Sequence, residues 1–277
     1  MKNHLLRGVA LPALLAGSAL AADLPLKAPP PPVAVFSWTG FYVGLNAGGA
    51  WTRSEATTTA SCAPVPGFLT YFCSPTIALA NAGAVSAAGT GTISGSGFTG
   101  GGQVGYNWQN GSAVLGIELD VEAFNIRGSR QASNIFPVPV TLANNTFTIT
   151  SSVATDWLFT ARGRVGWAFD NLLVYATGGL AVTELRATHT YLDNSVPPGA
   201  GAWSGSQTKL GWTAGGGLEW ALSRNWSVKA EYLYVNFGSV DAAGTIVNPT
   251  PPGYANAIST SVDLTAHIAR AGVNFRF

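Results

Sequence analysis

Charged side chains recur at every second position in two short stretches of this 277-residue chain. Glu118, Asp120 and Glu122 alternate with apolar residues, and Arg162 and Arg164 flank a single residue further along. Such alternation places the charged side chains on one face of a β-strand. Carboxylates and guanidiniums on facing strands could pair as ions, or they could line a path for ions or protons.

Five further charged residues fall on the same face of their own predicted strands, and we expect that face to point inward. They are Lys209, Glu219, Lys229, Glu231 and Arg270. A buried charge without a partner costs several kcal/mol, so pairing that fills the interior is the expected arrangement. An ion path or proton relay is the alternative, and it would require the pairs to exchange partners.

Other chemistry finds little support in the residues. His189 lies near Asp193 and His267 follows Asp263 by four positions, but neither pair belongs to a recognisable nucleophile and base arrangement. The Gly-rich stretch "GFTGGGQVG" lacks the lysine and following helix of a phosphate loop. We therefore predict no catalytic residue, no metal ligand and no cofactor.

The beginning of the chain predicts export. Lys2 and Arg7 flank a short positive start, an apolar run follows, and Ala19-Leu20-Ala21 offers a cleavage pattern, so residues 1–21 read as a signal peptide. Residues 22–37 form a Pro-rich leader on the periplasmic side, and residues 38–277 form one domain. Of 14 basic residues 12 remain after cleavage, against 13 acidic ones. Without a basic stripe, nucleic acid is not an expected partner.

Cys62 and Cys73 are the only cysteines, and both lie in the first predicted long loop. An exported chain meets an oxidising compartment, which favours a disulfide between them. Closing so short a loop would contribute roughly 3 kcal/mol or somewhat less. A metal site is not expected, since that loop contains no histidine.

The composition points to a surface that water does not wholly cover. The chain is 47% hydrophobic and only 10% charged. After the signal, no run reaches the roughly 18 uninterrupted apolar residues that a spanning helix requires. If the chain crosses a bilayer, a closed barrel is the remaining solution.

Period-two alternation recurs in eight segments, several about ten residues long, which is enough to cross a bilayer at a tilt. The predicted strands are Phe41–Trp51, Phe98–Trp108, Ala113–Ala123, Trp157–Phe169, Leu172–Leu185, Thr208–Trp220, Trp226–Phe237 and Val262–Phe277.

The connections between these strands alternate between short turns and long polar segments. The predicted turns are Gln109–Ser112, Phe169–Asn171 and Leu222–Asn225, and the predicted loops are Thr52–Gly97, Arg127–Thr150, Arg186–Ser206 and Gly238–Thr260. We predict an all-β, eight-stranded antiparallel up-and-down transmembrane barrel with short periplasmic turns and long extracellular loops.

A soluble lipocalin-like barrel would also alternate, but it would carry a Lys/Glu-rich exterior. Here the polar faces contain mainly Gly, Thr and Asn. Tryptophans near strand ends fit the aromatic girdles of a membrane barrel. They are Trp51, Trp108, Trp167, Trp212, Trp220 and Trp226.

The closing octapeptide "RAGVNFRF" resembles the carboxy-terminal signal by which the barrel-assembly machinery recognises outer-membrane proteins. The residues that carry the pattern are Arg270, Gly272, Phe275 and Phe277. In that interpretation Phe277 faces lipid and is hydrogen-bonded to the first strand where the barrel closes.

Three segments extend the resemblance over nearly the whole mature chain: "SWTGFYVGLNAGGAW", "LLVYATGGLAV" and "VKAEYLYVNFG". They are similar to the small outer-membrane β-barrel proteins of alphaproteobacteria, of the porin or OmpA-like type. The resemblance implies an abundant envelope protein in the bacterial outer membrane, surrounded by outer-membrane lipid and lipopolysaccharide, although the first loop is longer than the family leads us to expect.

The function predicted from the sequence is structural support of the envelope with display of surface loops. The alternative is a narrow solute channel, or capture of a ligand or host factor, haem included, by the loops. The oligomeric state stays open.

Overall fold

The computed structural model describes residues 36–73, 80–138 and 145–277, so the predicted signal and most of the leader lie outside the described residues. Eight antiparallel strands pair in chain order, and the last pairs with the first to close the barrel. They are β1 (Gly40–Ala60), β2 (Gly91–Asn110), β3 (Ala113–Ile135), β4 (Thr146–Phe169), β5 (Leu172–Asp193), β6 (Ala200–Ala221), β7 (Trp226–Asn248) and β8 (Tyr254–Arg276). One helix, α1 (Ala80–Gly89), lies between β1 and β2. The predicted fold class is confirmed. Within the described ranges no helix has the length and apolarity to cross a membrane.

Alternation decides which side chains line the interior. On β1, Tyr42 is 2% exposed, whereas Leu45, an odd number of positions away, is 71% exposed. The odd-numbered residues of β1 from Phe41 to Trp51 thus form an apolar outer face, and the even-numbered residues face the lumen. An exterior this apolar suits lipid and not water.

Exposed aromatic side chains bound that outer face in two rows. Trp108, Trp167, Trp220 and Trp226 lie near the short turns, while Trp51, Trp157 and Trp212 lie near the opposite limit of the apolar band. On β1 the ten residue steps from Phe41 to Trp51 span about 33 Å along the strand, or ~25 Å after a tilt of about 40°. That height matches the apolar band of an outer-membrane barrel.

The strands are longer than predicted, at 20 to 24 residues, so the predicted loop boundaries are wrong. Most residues assigned to the loops Thr52–Gly97, Arg127–Thr150, Arg186–Ser206 and Gly238–Thr260 belong to strands or to α1. The actual connections on that side are residues 61–90, 136–145, 194–199 and 249–253. Beyond the girdle the outer face becomes polar, as at Arg53 and Glu55. The difference in polarity between the two faces, which predicts a strand, disappears there.

The short turns contain residues suited to a left-handed backbone. Gly111, in the turn between β2 and β3, has φ of 61°, which glycine adopts without steric cost. Asp170, between β4 and β5, has φ of 52°, a conformation that Asp tolerates better than most residues. These turns fix the register of their hairpins.

Candidate functional site

Buried ion pairs cross the lumen in one layer, between the two girdles. Arg162 of β4 contacts Glu118 at 2.5 Å and Asp120 at 2.8 Å on β3, and Glu231 of β7 at 3.1 Å. Arg270 of β8 contacts Glu122 at 2.7 Å, Asp120 at 2.8 Å and Glu231 at 2.5 Å. Because β3 and β7 are not neighbours in the sheet, these contacts join facing walls.

Two further cations complete this charge layer. Lys229 Nζ lies 3.0 and 3.1 Å from the two carboxylate oxygens of Glu118. Arg164 donates to Glu219 Oε2 at 2.8 Å and to the hydroxyl of Tyr42 at 3.0 Å. Its guanidinium also lies 3.9 Å from the centre of the Tyr175 ring.

Hydroxyl groups bring the remaining strands into the charge layer. Thr99 of β2 donates to Glu122 at 2.5 Å, Tyr42 of β1 donates to Glu118 at 2.7 Å, and Tyr175 of β5 donates to Glu231 at 3.0 Å. All eight strands therefore contribute a side chain to one connected set of charge-assisted hydrogen bonds. Such a network is stable when its members are satisfied and costly when one partner is removed.

The nine charged residues of the layer are all buried. Five are carboxylates, Glu118, Asp120, Glu122, Glu219 and Glu231, and four are cations, Arg162, Arg164, Lys229 and Arg270. Lys209 is the predicted member that the structure does not bring together with them. It faces inward on β6, but it is ten residues from Glu219, about 33 Å along the strand, and it makes no ion pair with the described part of the chain.

Glycines on neighbouring strands make room for these long side chains. Seven of the nine charged residues lie directly opposite a glycine: Glu118 and Gly105, Glu122 and Gly101, Arg162 and Gly179, Arg164 and Gly116, Lys229 and Gly272, Glu231 and Gly217, and Arg270 and Gly48. A Cβ added to Gly48 would lie 2.6 Å from the Cα of Arg270. Because these glycines have no side chain, they leave the space that the charged side chains opposite them occupy.

Above the charge layer, on the side away from the short turns, the interior is apolar. Phe124, Leu158, Leu233 and Ile268 belong to one buried hydrophobic cluster there. The buried ion pairs expected from the sequence are therefore confined to the lower part of the lumen. Other members of this cluster, such as Ile93, Ala187 and Val240, lie in segments that the sequence predicts as loops, so their inward position has no counterpart in the predicted strands.

A folded cap fills the mouth of the barrel beyond the apolar layer. Phe72 of the first connection and Val85 of α1 are fully buried in a second cluster, together with Trp203 of β6. The structure joins Cys62 to Cys73 in the same connection. Backbone N–H groups of Tyr71 and Phe72 donate to Asn256 of β8 at 2.7 and 2.8 Å.

A buried polar cluster fixes this cap to the opposite strands. The carboxylate of Asp193 accepts hydrogen bonds from the hydroxyls of Tyr71 and Tyr191, at 2.8 and 2.9 Å, and from the backbone N–H of Gly199 at 2.9 Å. Burial raises the pKa of Tyr71 to about 12, so its hydroxyl remains a donor throughout the neutral range.

The short-turn end is closed as well. Trp38, where the predicted domain begins, is buried among side chains that include Leu173 and Tyr175. Its backbone N–H donates to Gln109 at 2.6 Å and its indole N–H to the carbonyl of Asp170 at 3.2 Å. Alternation gave no signal for this role, since Trp38 precedes β1.

The two described histidines each contact one hydroxyl group. His189 Nδ1 lies 2.9 Å from the Ser151 hydroxyl, fully buried, and its ring stacks on Trp203. His267 lies 2.5 Å from the hydroxyl of Tyr232 on the outer face. Among the described residues, no group of His, Cys, Asp and Glu is arranged to hold a metal ion.

The last residues lie where the barrel closes. The backbone N–H of Phe277 donates to the carbonyl of Phe41 at 3.0 Å, and the two rings are 5.7 Å apart. Phe277 is 72% exposed and Phe275 also faces outward, whereas Arg270 and Gly272 face the lumen. The terminal pattern therefore divides between a lipid-facing aromatic pair and an inward Arg and Gly.

The chain is similar to known outer-membrane proteins. A 31 kDa outer-membrane immunogenic protein of Brucella melitensis is 30% identical over 286 residues, covering all of both chains. A 22 kDa outer membrane protein of Rhizobium leguminosarum is 30% identical over 143 residues, or 51% of this chain and 54% of that one.

Among solved structures, the outer membrane protein OprG of Pseudomonas aeruginosa is 11% identical with a TM-score of 0.42, covering 86% of this chain and 97% of its own. The outer membrane protease OmpT of Escherichia coli is 7% identical with a TM-score of 0.42, covering 87% and 98%. A family model described as outer membrane protein beta-barrel domain matches residues 9–277. The protein resides in the bacterial outer membrane, and the chain belongs to the outer membrane protein beta-barrel domain family.

Proposed function

We propose that this protein is a sealed structural barrel that supports the outer membrane and displays folded loops at the cell surface, without catalytic activity. The observation that carries the proposal is the charge layer, in which all eight strands share buried ion pairs and hydrogen bonds across the lumen. A barrel cross-linked in this way resists deformation, because moving one wall breaks contacts with several others.

Three successive barriers argue against a solute path. Trp38 closes the short-turn end, the charge layer crosses the lumen above it, and the apolar layer and cap lie beyond. An ion that entered would have to displace pairs such as Arg270 and Glu231, joined at 2.5 Å, and then cross the apolar layer. Eight strands enclose an interior that side chains just fill.

Surface binding by the loops is the second candidate, and one feature favours it. Within the connection stapled by Cys62 and Cys73, Phe68 and Leu69 are 40% and 53% exposed. The Brucella relative is named an immunogenic protein, in keeping with display at the cell surface. No described feature favours haem, since His189 is buried and His267 lies on the outer face.

Single-channel recording tests the sealed barrel. Purified, refolded protein in a planar bilayer should show no stable conductance, and Lys209→Ala, which changes an inward residue outside the charge layer, should behave the same. Heat-modifiable migration on gels verifies that each sample is folded. Steady, large, ion-selective openings by the wild type would refute the proposal and favour transport.

A further inference from the structure

A groove with a volume of about 360 Å³ lies on the outer face of β3, β4 and β5. Arg127 of β3 and Arg186 of β5 border it on opposite sides. Hydroxyl-bearing side chains from all three strands, Ser129, Ser152 and Thr188, line it together with Gly128, Val153 and Ala154. A groove with cationic borders and a hydroxylated wall has the chemistry to bind a phosphorylated sugar.

The groove lies just outside the apolar band. On β5, Leu180 and Val182 belong to the lipid-facing row, and Arg186 follows Val182 by four residues, about 13 Å along the strand. On β4, Trp157 of the outer girdle is three residues from Ala154, which lines the groove. Aromatic girdles mark the level of the lipid headgroups, so the groove opens at that level.

Both guanidiniums retain donors for a ligand. Arg127 donates to the carbonyls of Ile126 and Thr155, at 3.0 and 2.7 Å, and to Asp156 at 2.5 Å. Arg186 contacts Asp156 at 2.7 Å and donates two N–H groups to Glu184 at 3.2 Å. Since each guanidinium has five N–H groups, two on each have no acceptor among the described residues.

A bulge holds the two arginines in position. The register of β4 and β5 shifts between Ala154 and Leu158, and Asp156 lies within that irregular stretch. Bulges redirect side chains, and here the carboxylate of Asp156 contacts Arg127 and Arg186 at once. The guanidiniums are therefore spaced by a common partner although their side chains are 58% and 48% exposed.

From these contacts we infer that the groove binds a phosphate group of a phosphorylated glycolipid in the outer leaflet. Arg127 and Arg186 donate the four remaining N–H groups to the phosphate, and the hydroxyls of Ser129, Ser152 and Thr188 contact the adjoining sugar. Planar guanidiniums suit phosphate because they donate in pairs with fixed geometry.

The local charge favours a lipid over free phosphate. Asp156 and Glu184 offset the charges of the two arginines, so long-range attraction is weak and binding depends on directed hydrogen bonds. A headgroup held in the surrounding leaflet is already at high effective concentration beside the groove, whereas phosphate in solution is not. The inference depends on the outer-membrane location and not on the sealing of the lumen.

The test is a binding titration of the folded, full-length barrel in detergent, followed by native mass spectrometry. The ligands are phosphorylated lipopolysaccharide, the same preparation after phosphatase treatment, and inorganic phosphate. We expect the double variant Arg127→Gln/Arg186→Gln to bind phosphorylated lipopolysaccharide at least tenfold more weakly than the wild type. Arg53→Gln is the matched control, since Arg53 lies just beyond Trp51 on β1 and does not line the groove.

Phosphatase treatment should reduce binding to the wild type to the level of the double variant. Equal affinities of wild type and double variant would overturn the inference, and an equal loss in Arg53→Gln would show a diffuse basic surface in place of a site. Full displacement by inorganic phosphate at the same concentration would refute the assignment to a lipid. None of these results changes the conductance expected of a sealed barrel, so the two proposals can fail separately.

Discussion

Replacing Arg164 with Met removes the counter-charge of Glu219, one of the five carboxylates of the charge layer. Arg164 is the only cation within 4 Å of Glu219 among the described residues, and its Nη2 is the partner of Glu219 Oε2 at 2.8 Å. The other oxygen of Glu219 accepts hydrogen bonds from Ser227 at 2.6 Å and Asn274 at 2.8 Å. Without Arg164, the buried carboxylate of Glu219 keeps the two hydrogen bonds to one oxygen but loses its counter-charge.

The loss of stability caused by each substitution depends on the partners that the carboxylate keeps. Removing one member of a buried ion pair costs about 3–5 kcal/mol, and the two hydrogen bonds retained by Glu219 place Arg164→Met near 3 kcal/mol. Lys229→Met also removes a buried cation, but Glu118 keeps Arg162 at 2.5 Å and the hydroxyl of Tyr42 at 2.7 Å. We therefore expect Lys229→Met to cost about 1.5 kcal/mol, the contribution of a hydrogen bond to a charged group.

Urea titration of the barrel in lipid vesicles, followed by tryptophan fluorescence, measures these free energies of unfolding. The double variant Arg164→Met/Glu219→Gln should recover about half of the loss, because a neutral amide oxygen can still accept from Ser227 and Asn274. Equal costs for Arg164→Met and Lys229→Met, or no recovery in the double variant, would contradict the view that orphaned carboxylates set the cost.

Two further predictions concern the glycines and the last residue. Gly48→Ala should reduce the yield of folded barrel on refolding, because the added Cβ would meet the backbone of Arg270, whereas Gly49→Ala, where nothing lies within 4 Å, should refold like the wild type. Equal yields would remove the steric argument. Phe277→Ala should lower the amount of folded barrel in the outer membrane of cells while the purified variant refolds normally into lipid, since the proposed role is recognition by the assembly machinery. Unchanged amounts in cells would contradict that role.

The strands were predictable where the two faces differ most in polarity. From Leu115 to Val121, apolar residues strictly alternate with Gly116, Glu118 and Asp120, and the predicted strand corresponds to the lower half of β3. Farther along β1, the stretch Thr57–Ala60 presents hydroxyls outward and inward, so no alternation of hydropathy remains. Where a strand extends beyond the membrane, its outward residues face water in place of lipid, so hydropathy no longer alternates along it and the sequence does not predict it.

Alternation predicts which way a side chain points, but it does not predict its height in the lumen or its partner. This is why Lys209 was assigned to the charge layer although it lies far above it. It is also why the contact between Arg162 and Glu231 could not be foreseen, since it depends on which strands face one another across the closed barrel. Trp38 was missed for a different reason, because a residue before the first strand has no face to assign.

Some of the pairs between a charged residue and a glycine can nonetheless be predicted from the nearest tight turn. The turn at Asn110-Gly111 sets Asn110 opposite Ala113, and the same register places Gly105 opposite Glu118. In the next hairpin, the pairing of Phe169 with Leu172 places Arg162 opposite Gly179 in the same way.

Wherever a tight turn fixes the register, an inward charge and an inward glycine can therefore be matched from the sequence. The pair Arg270 and Gly48 is different, because β8 and β1 meet only when the barrel closes and no turn joins them. Their complementarity favours one register of closure over its neighbours, since a shift by two residues would place Arg270 opposite the inward side chain of Asn46 or Ala50 in place of the glycine. Gly48 thus helps to set the register in which β8 pairs with β1, and these two strands are the most distant in sequence of all the paired strands.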